Sequence, residues 1–507
     1  MFYLENILRI RRNINIPEGV SVEYKSAQEG LPKSFWETYS AFANTNGGVI
    51  ILGFDERNDN NPMIGVKNPQ KIYNQLLNEV SNPQRVSFNL LTDEDVLINP
   101  IKESDNSLII VNVREAPYSA KPVYIGQDIR KTYIRLGEGD KVATQQQLKY
   151  LLASSQEDLD SQILPNFDID DINLETVERY RQLLLVQDKK YKNLSVEELL
   201  KSVGAFKKDR NGDGTFKLTT GGLLFFGKYN SITDRFPQFQ LDYFEKDSTL
   251  NPRWVDRVST GDLSYSELNL FDFLLIVRDK LAATVKDSFS LDENTQTRIP
   301  FKKDLEESLR EALVNSLMHA YYDGETSVKI TAFPDYYEFK NPGNMRVSID
   351  EFIKGNNSIT RNPTIATLLR KIGFSEKAGS GGQKIFDVAA KHKLMLPDIY
   401  NPMDSTTIVI WKVDFKHNIN KLPEPDRSIL TYIFENGSIK RKEIENDLKL
   451  AGQEYSYRKA LERLIEGNYI RRQGNGPGTK YVLKKSSQEH YYLMKQIMRE
   501  IEENFKL

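Results

Sequence analysis

Residues 41–56 read AFANTNGGVIILGFDE. A glycine pair beside Asn44, Thr45 and Asn46 has the look of a phosphate loop. Such a loop runs strand, glycines, helix, so that the N–H groups at the helix start face the anion. Here the order is reversed. Phe35, Tyr39 and Phe42 recur at helical spacing before the glycines, and the β-branched run Val49–Phe54 follows them. No Gly-Lys-Ser or Gly-Lys-Thr follows Gly48. Gly47 and Gly48 are expected to end the helix in a left-handed cap and turn the chain into a buried strand. The acids that close the stretch then become its chemistry.

Upstream, IPEGVSVEYKS alternates Val20, Val22 and Tyr24 with Ser21, Glu23 and Lys25, a strand pattern that puts Glu23 and Lys25 on one face. If this strand neighbours Val49–Phe54, then Glu18, Glu23 and Asp55 converge. Three carboxylates with Lys25 suit a Mg²⁺ or Mn²⁺ phosphodiester site, in which the metal stabilises developing charge and activates water. Acids at strand ends are equally at home as a solvated surface.

The whole chain bounds these readings. Its 507 residues exceed one ordinary core and predict three or four domains. With 28% charged residues and a net charge of −2, no global basic balance points to nucleic acid, so any such surface is local. The absence of cysteine excludes disulfides, thiolate metal sites and a Cys nucleophile. The four histidines, His319, His392, His417 and His490, are too scattered for a His-based zinc site. MFYLENILRIRRN has the wrong charge order for a secretory signal, and no apolar run approaches the ~20 residues of a membrane span. A cytoplasmic protein with no membrane partner is expected.

Five segments follow. Residues 1–155 read as mixed α/β, with strands at Val49–Phe54, Ser107–Val113 and Lys131–Leu136 and a closing helix at Gln145–Ala153. Residues 156–300 form a connecting α/β region. It holds an acidic linker, a helix over Leu174–Gln187, TTGGLLFFGK (219–228) as a strand, and a helix near Ser264–Val285. Residues 301–415 alternate helix and strand, and Pro423 and Pro425 mark the next boundary. Residues 421–485 form a compact helical unit ending in a hairpin. Residues 486–507 are a charged helix whose Tyr491, Met494, Ile497 and Ile501 share a face, a stripe suited to packing or to a homodimer.

FKKDLEESLREALVNSLMHAYYD (301–323) places Glu311, Asn315 and His319 at i, i+4 and i+8, so one helix face carries an acid, an amide and an imidazole. An Asn amide oxygen can ligate Mg²⁺, and a Glu one turn earlier can orient water; an ordinary polar helix side reads the same way. YYEFKNPGNM (336–345) is a strand ending in a tight turn at Asn341, Pro342 and Gly343. EKAGSGGQKIFDVAAKHKL (376–394) sets Gly379, Ser380, Gly381 and Gly382 before a helix, the correct order for phosphate, with Lys384 nearby. Arg361, before Asn362 and Pro363, either faces phosphate or belongs to a helix start with Pro363 in the first turn.

DRSILTYIFEN, RKEIENDLKL and SYRKALERLIEGN read as three short helices, and YIRRQGNGPGTKYVL as a hairpin. Residues 421–485 hold 14 Lys and Arg against 9 Asp and Glu, a local basic excess. This looks like a winged helix-turn-helix. Its third helix would offer Tyr455, Ser456, Arg458, Lys459 and Arg463 to a major groove, and its wing Arg471, Arg472 and Lys480 to phosphate. Winged helices also serve as protein contacts.

VEYKSA, AFANTNGGVIILGFDE, IGV (64–66), KPVYI and TYIRLG (132–137), in that order, resemble the Schlafen/Alba-like domain over roughly the first 150 residues. That resemblance implies a metal-dependent endoribonuclease site for structured RNA such as tRNA at Glu18, Glu23 and Asp55, on an E-x-x-x-x-E-x-K pattern that includes Lys25. Many bacterial members are instead DNA-binding regulators, so the triad leaves both open. The later helix, NPG strand and glycine loop, with SITRNPTIATLLRKIGFSEKAGSGG, resemble the divergent histidine-kinase/gyrase/Hsp90 (GHKL) ATP-binding domain found behind such domains. That resemblance implies ATP or a related nucleotide with Mg²⁺, Glu311 as base, Asn315 as magnesium ligand, and contacts from His319, Gly343, Arg361 and Gly379–Gly382. Asn341 stands where typical members carry the aspartate that reads adenine; it accepts hydrogen bonds but has no charge.

The expected fold is α+β and multidomain: a Schlafen/Alba-like α/β domain, a GHKL-like α/β sandwich and a winged helix-turn-helix. The function expected first is a nucleotide-controlled, DNA-binding transcriptional regulator. The second is a Schlafen-like ribonuclease in stress or phage defence gated by the nucleotide domain, and a weaker third is a DNA-processing ATPase.

Overall fold

The computed structural model describes residues 21–28, 30–55, 63–101, 104–137, 139–156, 159–247, 253–286, 300–355, 358–375, 379–413, 422–436, 438–466, 469–473 and 479–483. The chain is a multidomain α/β protein. It divides into two compact units, Met1–Glu157 and Asp158–Leu507.

The first unit holds β1 (Val22–Lys25), α1 (Ser34–Asn44), β2 (Gly48–Leu52), α2 (Pro69–Val80), β3 (Val96–Pro100), β4 (Ser107–Val113), β5 (Tyr133–Leu136), β6 (Gly139–Val142) and α3 (Gln145–Ser155). Four strands form one sheet in the order β1-β2-β4-β3. Only β1 and β2 run parallel, with Glu23 opposite Ile50 and Lys25 opposite Leu52. Val49 to Leu52 are buried on both faces. Ile50 and Leu52 pack with α1 and α2, and Val49 and Ile51 with Val22, Tyr24 and Phe54.

The two glycines that join α1 to β2 do different work. Gly47 has φ +71°, and its N–H donates to Phe42 O at 2.9 Å, which ends the helix. Gly48 lies against the Phe42 ring, where a Cβ would sit 2.7 Å from ring carbons. Asn44 is buried and bridges α1 to the next layer. Its Nδ2 donates to Val123 O (2.7 Å) and Tyr133 O (2.9 Å), and its Oδ1 accepts from Val123 N–H (2.8 Å).

The second unit begins with β7 (Ile163–Leu164), α4 (Leu174–Gln187), α5 (Val196–Val203), β8 (Phe206–Lys208), β9 (Phe216–Thr219), α6 (Thr220–Phe226) and α7 (Tyr229–Arg235). TTGGLLFFGK is thus a helix, α6, and not a strand. Thr219 Oγ1 caps it by accepting from Gly222 N–H at 3.0 Å. Every residue of α6 is buried, so the run carries no polar face to reveal its period. Phe225 and Phe226 pack edge-on to Tyr180, and Phe225 stacks on Phe271.

Next come β10 (Leu241–Glu245), β11 (Asp256–Ser259), α8 (Leu270–Thr284), α9 (Phe301–His319), β12 (Val328–Ala332), β13 (Tyr336–Pro342), α10 (Ile349–Lys354), α11 (Pro363–Lys371), α12 (Gly381–Lys391), β14 (Asp398–Tyr400) and β15 (Ser405–Trp411). They build a six-stranded sheet, β11-β10-β12-β13-β15-β14, in which β10 and β12 pair parallel and the rest antiparallel. Two of its strands precede residue 300, and one hydrophobic core runs from Leu164 to Ile410.

The last described elements are α13 (Asp426–Asn436), β16 (Ser438–Lys440), α14 (Arg441–Asn446), α15 (Glu454–Glu466), β17 (Ile470–Gln473) and β18 (Lys480–Leu483). The strands pair β16-β18-β17 over a separate core that includes Ile429, Ile433, Ile444, Tyr457 and Leu464. The helix expected over 486–507 lies outside the described residues. Among the described residues no helix is long and apolar enough to cross a membrane.

Asn44→Ala removes these three hydrogen bonds and strips the buried Val123 N–H of its amide acceptor, while Val123 O keeps its bond from Ser40 Oγ at 2.7 Å. It is expected to lower stability by about 2–4 kcal/mol, read as an earlier denaturant midpoint. A shift indistinguishable from wild type would show that Asn44 is dispensable to the layer it bridges.

Candidate functional site

The first candidate centres on β1 and the end of β2. Glu18 lies outside the described residues. Glu23 is fully engaged: its Oε1 accepts from Lys25 Nζ at 2.6 Å and its Oε2 pairs with Arg135 Nη2 at 2.8 Å. Arg135, from β5, is 1% exposed at its side chain and also pairs with Asp140 at 2.8 Å. Asp140 in turn accepts from Thr38 Oγ1 at 2.6 Å. This is a buried charge chain, which stands because each member is paired. Asp55 follows Phe54, whose ring stacks on Tyr24 at 4.1 Å. In register, Glu23 lies opposite Ile50, five residues before Asp55. Among the described residues no group of three His, Cys, Asp or Glu side chains is placed to hold a metal ion.

The second candidate is a cavity in the second unit, and it gathers nearly all of the predicted nucleotide residues. Glu311, Asn315 and His319 from α9, Asn341 from β13, and Gly379, Ser380, Gly381, Gly382 and Lys384 all line it. The sequence spacing explains α9: three polar residues at i, i+4 and i+8 on a helix whose other side buries Leu305, Leu309, Ala312, Leu313 and Leu317. Asn315 Nδ2 donates to Glu311 Oε1 at 3.2 Å. The glycine loop lies directly on this pair, since a Cβ on Gly381 would fall 1.9 Å from Glu311 Oε1. Gly382 is equally tight, with a Cβ 2.3 Å from Phe352 O. At Gly382 the neighbour is backbone, so only glycine allows this approach, and the loop opens straight into α12.

Gly343 and Arg361 do not line the cavity. Gly343, with φ +86°, makes the turn after β13 and packs on Arg361, where a Cβ would meet the guanidinium carbon at 3.0 Å. Arg361 is 1% exposed and turns inward, with Nε–H donating to His319 O (3.0 Å) and Nη2 to Asn344 O (2.7 Å). The carbonyls at the end of α9 have no partner within the helix, and this cation supplies one. Pro363 takes the first turn of α11. Burial first, then nearby Arg346, lowers Arg361 to a pKa of about 9. His319 is pushed down to about 4 by burial, with Arg361 and Arg346 adding to it, so its imidazole is neutral at pH 7.

Several lining residues escape the sequence reading, among them the polar Asn344, Arg346 and Thr406. Asn344 and Arg346 directly follow the NPG turn, so the signal was adjacent. Thr406 sits on β15 opposite Asn341, a pairing 65 residues distant in sequence, and its Oγ1 donates to Gly343 O at 2.9 Å.

The third candidate is the α15 face and the β17–β18 ribbon. Tyr455 is 79% exposed. Arg458 and Lys459 are exposed but paired on their own helix, with Glu454 (2.6 Å) and Glu462 (2.7 Å). Ser456 is half-buried. Arg463 holds the buried Asp426 of α13, Nε to Oδ1 at 2.9 Å, and so ties two helices together. Arg472 is exposed and Lys480 half-buried; the Arg471 side chain and the turn at 474–478 lie outside the described residues.

Comparison with known proteins places these sites in context. A family model for the Schlafen AlbA_2 domain matches residues 18–144. One described as "Putative ATP-dependent DNA helicase recG C-terminal" matches residues 325–410. A domain of unknown function (DUF8451) matches residues 149–242. No match is found among curated proteins. Among solved structures, a Corynebacterium diphtheriae protein aligns over 97% of this chain and 98% of its own, at 17% identity and TM-score 0.40. The N-terminal domain of a RecG-related protein from Nitrosomonas europaea aligns over 27% of this chain and 92% of its own, at 24% identity and TM-score 0.20. The chain thus carries a segment that matches the Schlafen AlbA_2 domain, followed by one that matches an ATPase-like domain of the RecG C-terminal type.

Proposed function

We propose that this protein is a nucleotide-binding, nucleic-acid-binding regulator in which occupancy of the α9 cavity controls DNA binding. The observation that supports it best is the convergence of Glu311, Asn315 and His319 with the loop Gly379–Gly382 in one cleft. The reading takes 301–415 as a divergent GHKL-like sandwich whose sheet is completed by β10 and β11 of the 156–300 region, and 421–485 as a winged helix, with the AlbA_2 domain over 1–155.

The residues fit a nucleoside triphosphate, ATP or a relative, with Mg²⁺. The glycine loop offers backbone N–H groups at the start of α12, in a cradle that any Cβ would fill. Asn315 would hold Mg²⁺ through its amide oxygen, and the ion would neutralise phosphate charge. Glu311, steadied by Asn315 at 3.2 Å, can orient a water.

The AlbA_2 site fits a metal less well. Both carboxylate oxygens of Glu23 already serve cations, Lys25 and Arg135. A carboxylate so committed anchors a buried arginine, and this favours binding over cutting.

Titration calorimetry of Mg²⁺-nucleoside triphosphate against wild type and Asn315→Ala is expected to show at least about tenfold weaker binding in the variant, the 1.4 kcal/mol scale of one lost polar contact. Equal affinities would remove Asn315 from its role. Incubation with tRNA and with duplex DNA, in Mn²⁺ and in EDTA, is expected to give no metal-dependent cleavage. Cleavage that vanishes in Asp55→Asn would overturn the regulator-only reading. Asp55 is the better probe because losing Glu23 strands a buried Arg135 and threatens the fold. On the ribbon, Arg472→Ala with Lys480→Ala is expected to weaken DNA binding at all sequences and flatten its salt dependence by about two charges. An unchanged salt slope would place the DNA surface elsewhere.

A further inference from the structure

A second cleft, of about 790 Å³, lies in the same unit and shares no lining residue with the nucleotide cavity. It forms where strand ends and helix ends meet. Glu245 and Lys246 close β10, Phe333 to Asp335 turn the chain from β12 into β13, and Lys412 and Val413 follow β15. Across from them stand the end of α8 with Val285 and Lys286, the first turns of α9, and His392 after α12. Leu305 lies six residues before Glu311, about 9 Å of helix rise.

Part of the wall is apolar and fixed. Val285, Phe301 and Leu305 line the cleft and are buried. His392 is held by Nε2 to Asp304 Oδ2 at 2.8 Å and packs edge-on to Phe301, with ring centroids 5.1 Å apart.

The rim is cationic. Lys246, Lys286 and Lys412 all line the cleft. Two of these ammonium groups lie over rings: Lys246 Nζ is 5.7 Å from the Phe333 centroid, and Lys412 Nζ is 4.0 Å from that of Tyr337. Among the described residues none of the three forms an ion pair with a carboxylate. Lysines nearby do: Lys280 pairs with Asp256 at 2.5 Å and Lys391 with Asp304 at 2.7 Å. Glu245 and Asp335 also line the cleft, and they attract Lys412 through space without bonding to it. Three cations against two acids leave one surplus positive charge. Burial, with Lys286 adding to it, lowers Lys412 to a pKa of about 8, against the pull of Glu245 and Asp335. An anion beside it offsets that loss.

A ligand for this cleft must use both features. A bare inorganic anion gains nothing from Phe301 and Leu305, and a neutral apolar molecule gains nothing from the lysines. The volume is that of a small-molecule site. We propose that the cleft binds a small organic carboxylate, with its apolar body against Val285, Phe301 and Leu305 and its charged end between Lys286 and Lys412. This site stands apart from the nucleotide reading and does not depend on it.

Titration calorimetry on the full chain tests the proposal with octanoate and 2-naphthoate, and with acetate, 1-octanol and inorganic phosphate as controls. At least one of the two larger carboxylates is expected to bind at one per chain, at least about tenfold tighter than any control. Lys412→Met keeps an apolar stem over Tyr337 and is expected to weaken that binding about tenfold. Lys286→Gln alters an exposed side chain, so it does not threaten the fold, and is expected to weaken it about threefold. No binding by either carboxylate overturns the proposal. Octanol binding as tightly as octanoate overturns the role of the charge, and acetate or phosphate matching the larger carboxylates overturns the role of the apolar wall. Wild-type affinity in Lys286→Gln, or in a folded Lys412→Met, overturns the placement of the carboxylate.

Discussion

The second unit turns on one corner, where Arg361, Asn362 and Pro363 meet the end of α9. A helix leaves its last carbonyls without internal partners. Here Asn362 Nδ2 donates to Met318 O (3.1 Å) and Ala320 O (2.7 Å), and Arg361 takes His319 O between them. Pro363 then opens α11, whose first N–H groups donate to the Asp160 carboxylate, Thr364 at 3.0 Å and Ile365 at 2.7 Å. One helix end is capped by the residues that start another. The position of His319, which lines the cavity, follows from this arrangement.

The AlbA_2 unit shows a related economy. Its functional-looking polar residues are largely structural. Asn44, which in sequence belongs to the phosphate-loop look-alike, spends its amide on Val123 and Tyr133. Glu23 neutralises a buried arginine that also lies over the Phe42 ring, 5.1 Å from its centroid. Buried polar groups must be satisfied, and a sheet edge that carries Arg135 inward needs an acid beside it.

How much of this was legible in sequence depended on how local each signal was. The helix–glycine–strand order around Gly47 was readable, because caps and turns are set by neighbours. So was the α9 face, because Glu311, Asn315 and His319 lie at fixed helical spacing. TTGGLLFFGK misled because a helix buried on every side shows no period, and its glycines serve close approach: a Cβ on Gly222 would fall 2.5 Å from Ala205 O. Thr406 was missed because what makes it a cavity residue is the register of β13 against β15, which no spacing in the chain records; Arg346 lies just past the NPG turn, outside any element whose period could assign it a face. The inward turn of Arg361 was equally hidden, since its acceptors are backbone carbonyls and carry no residue identity.

The cap on α11 has a consequence in time. Asp160 and Thr364 stand 204 residues apart in the chain. Closing so long a loop costs entropy before the contact returns anything, so this cap cannot help nucleate the helix it finishes. While the intervening chain is unfolded, the first turn of α11 must rely on what is local, the fixed backbone angle of Pro363. The carboxylate arrives afterwards, as a lock placed on a helix already begun.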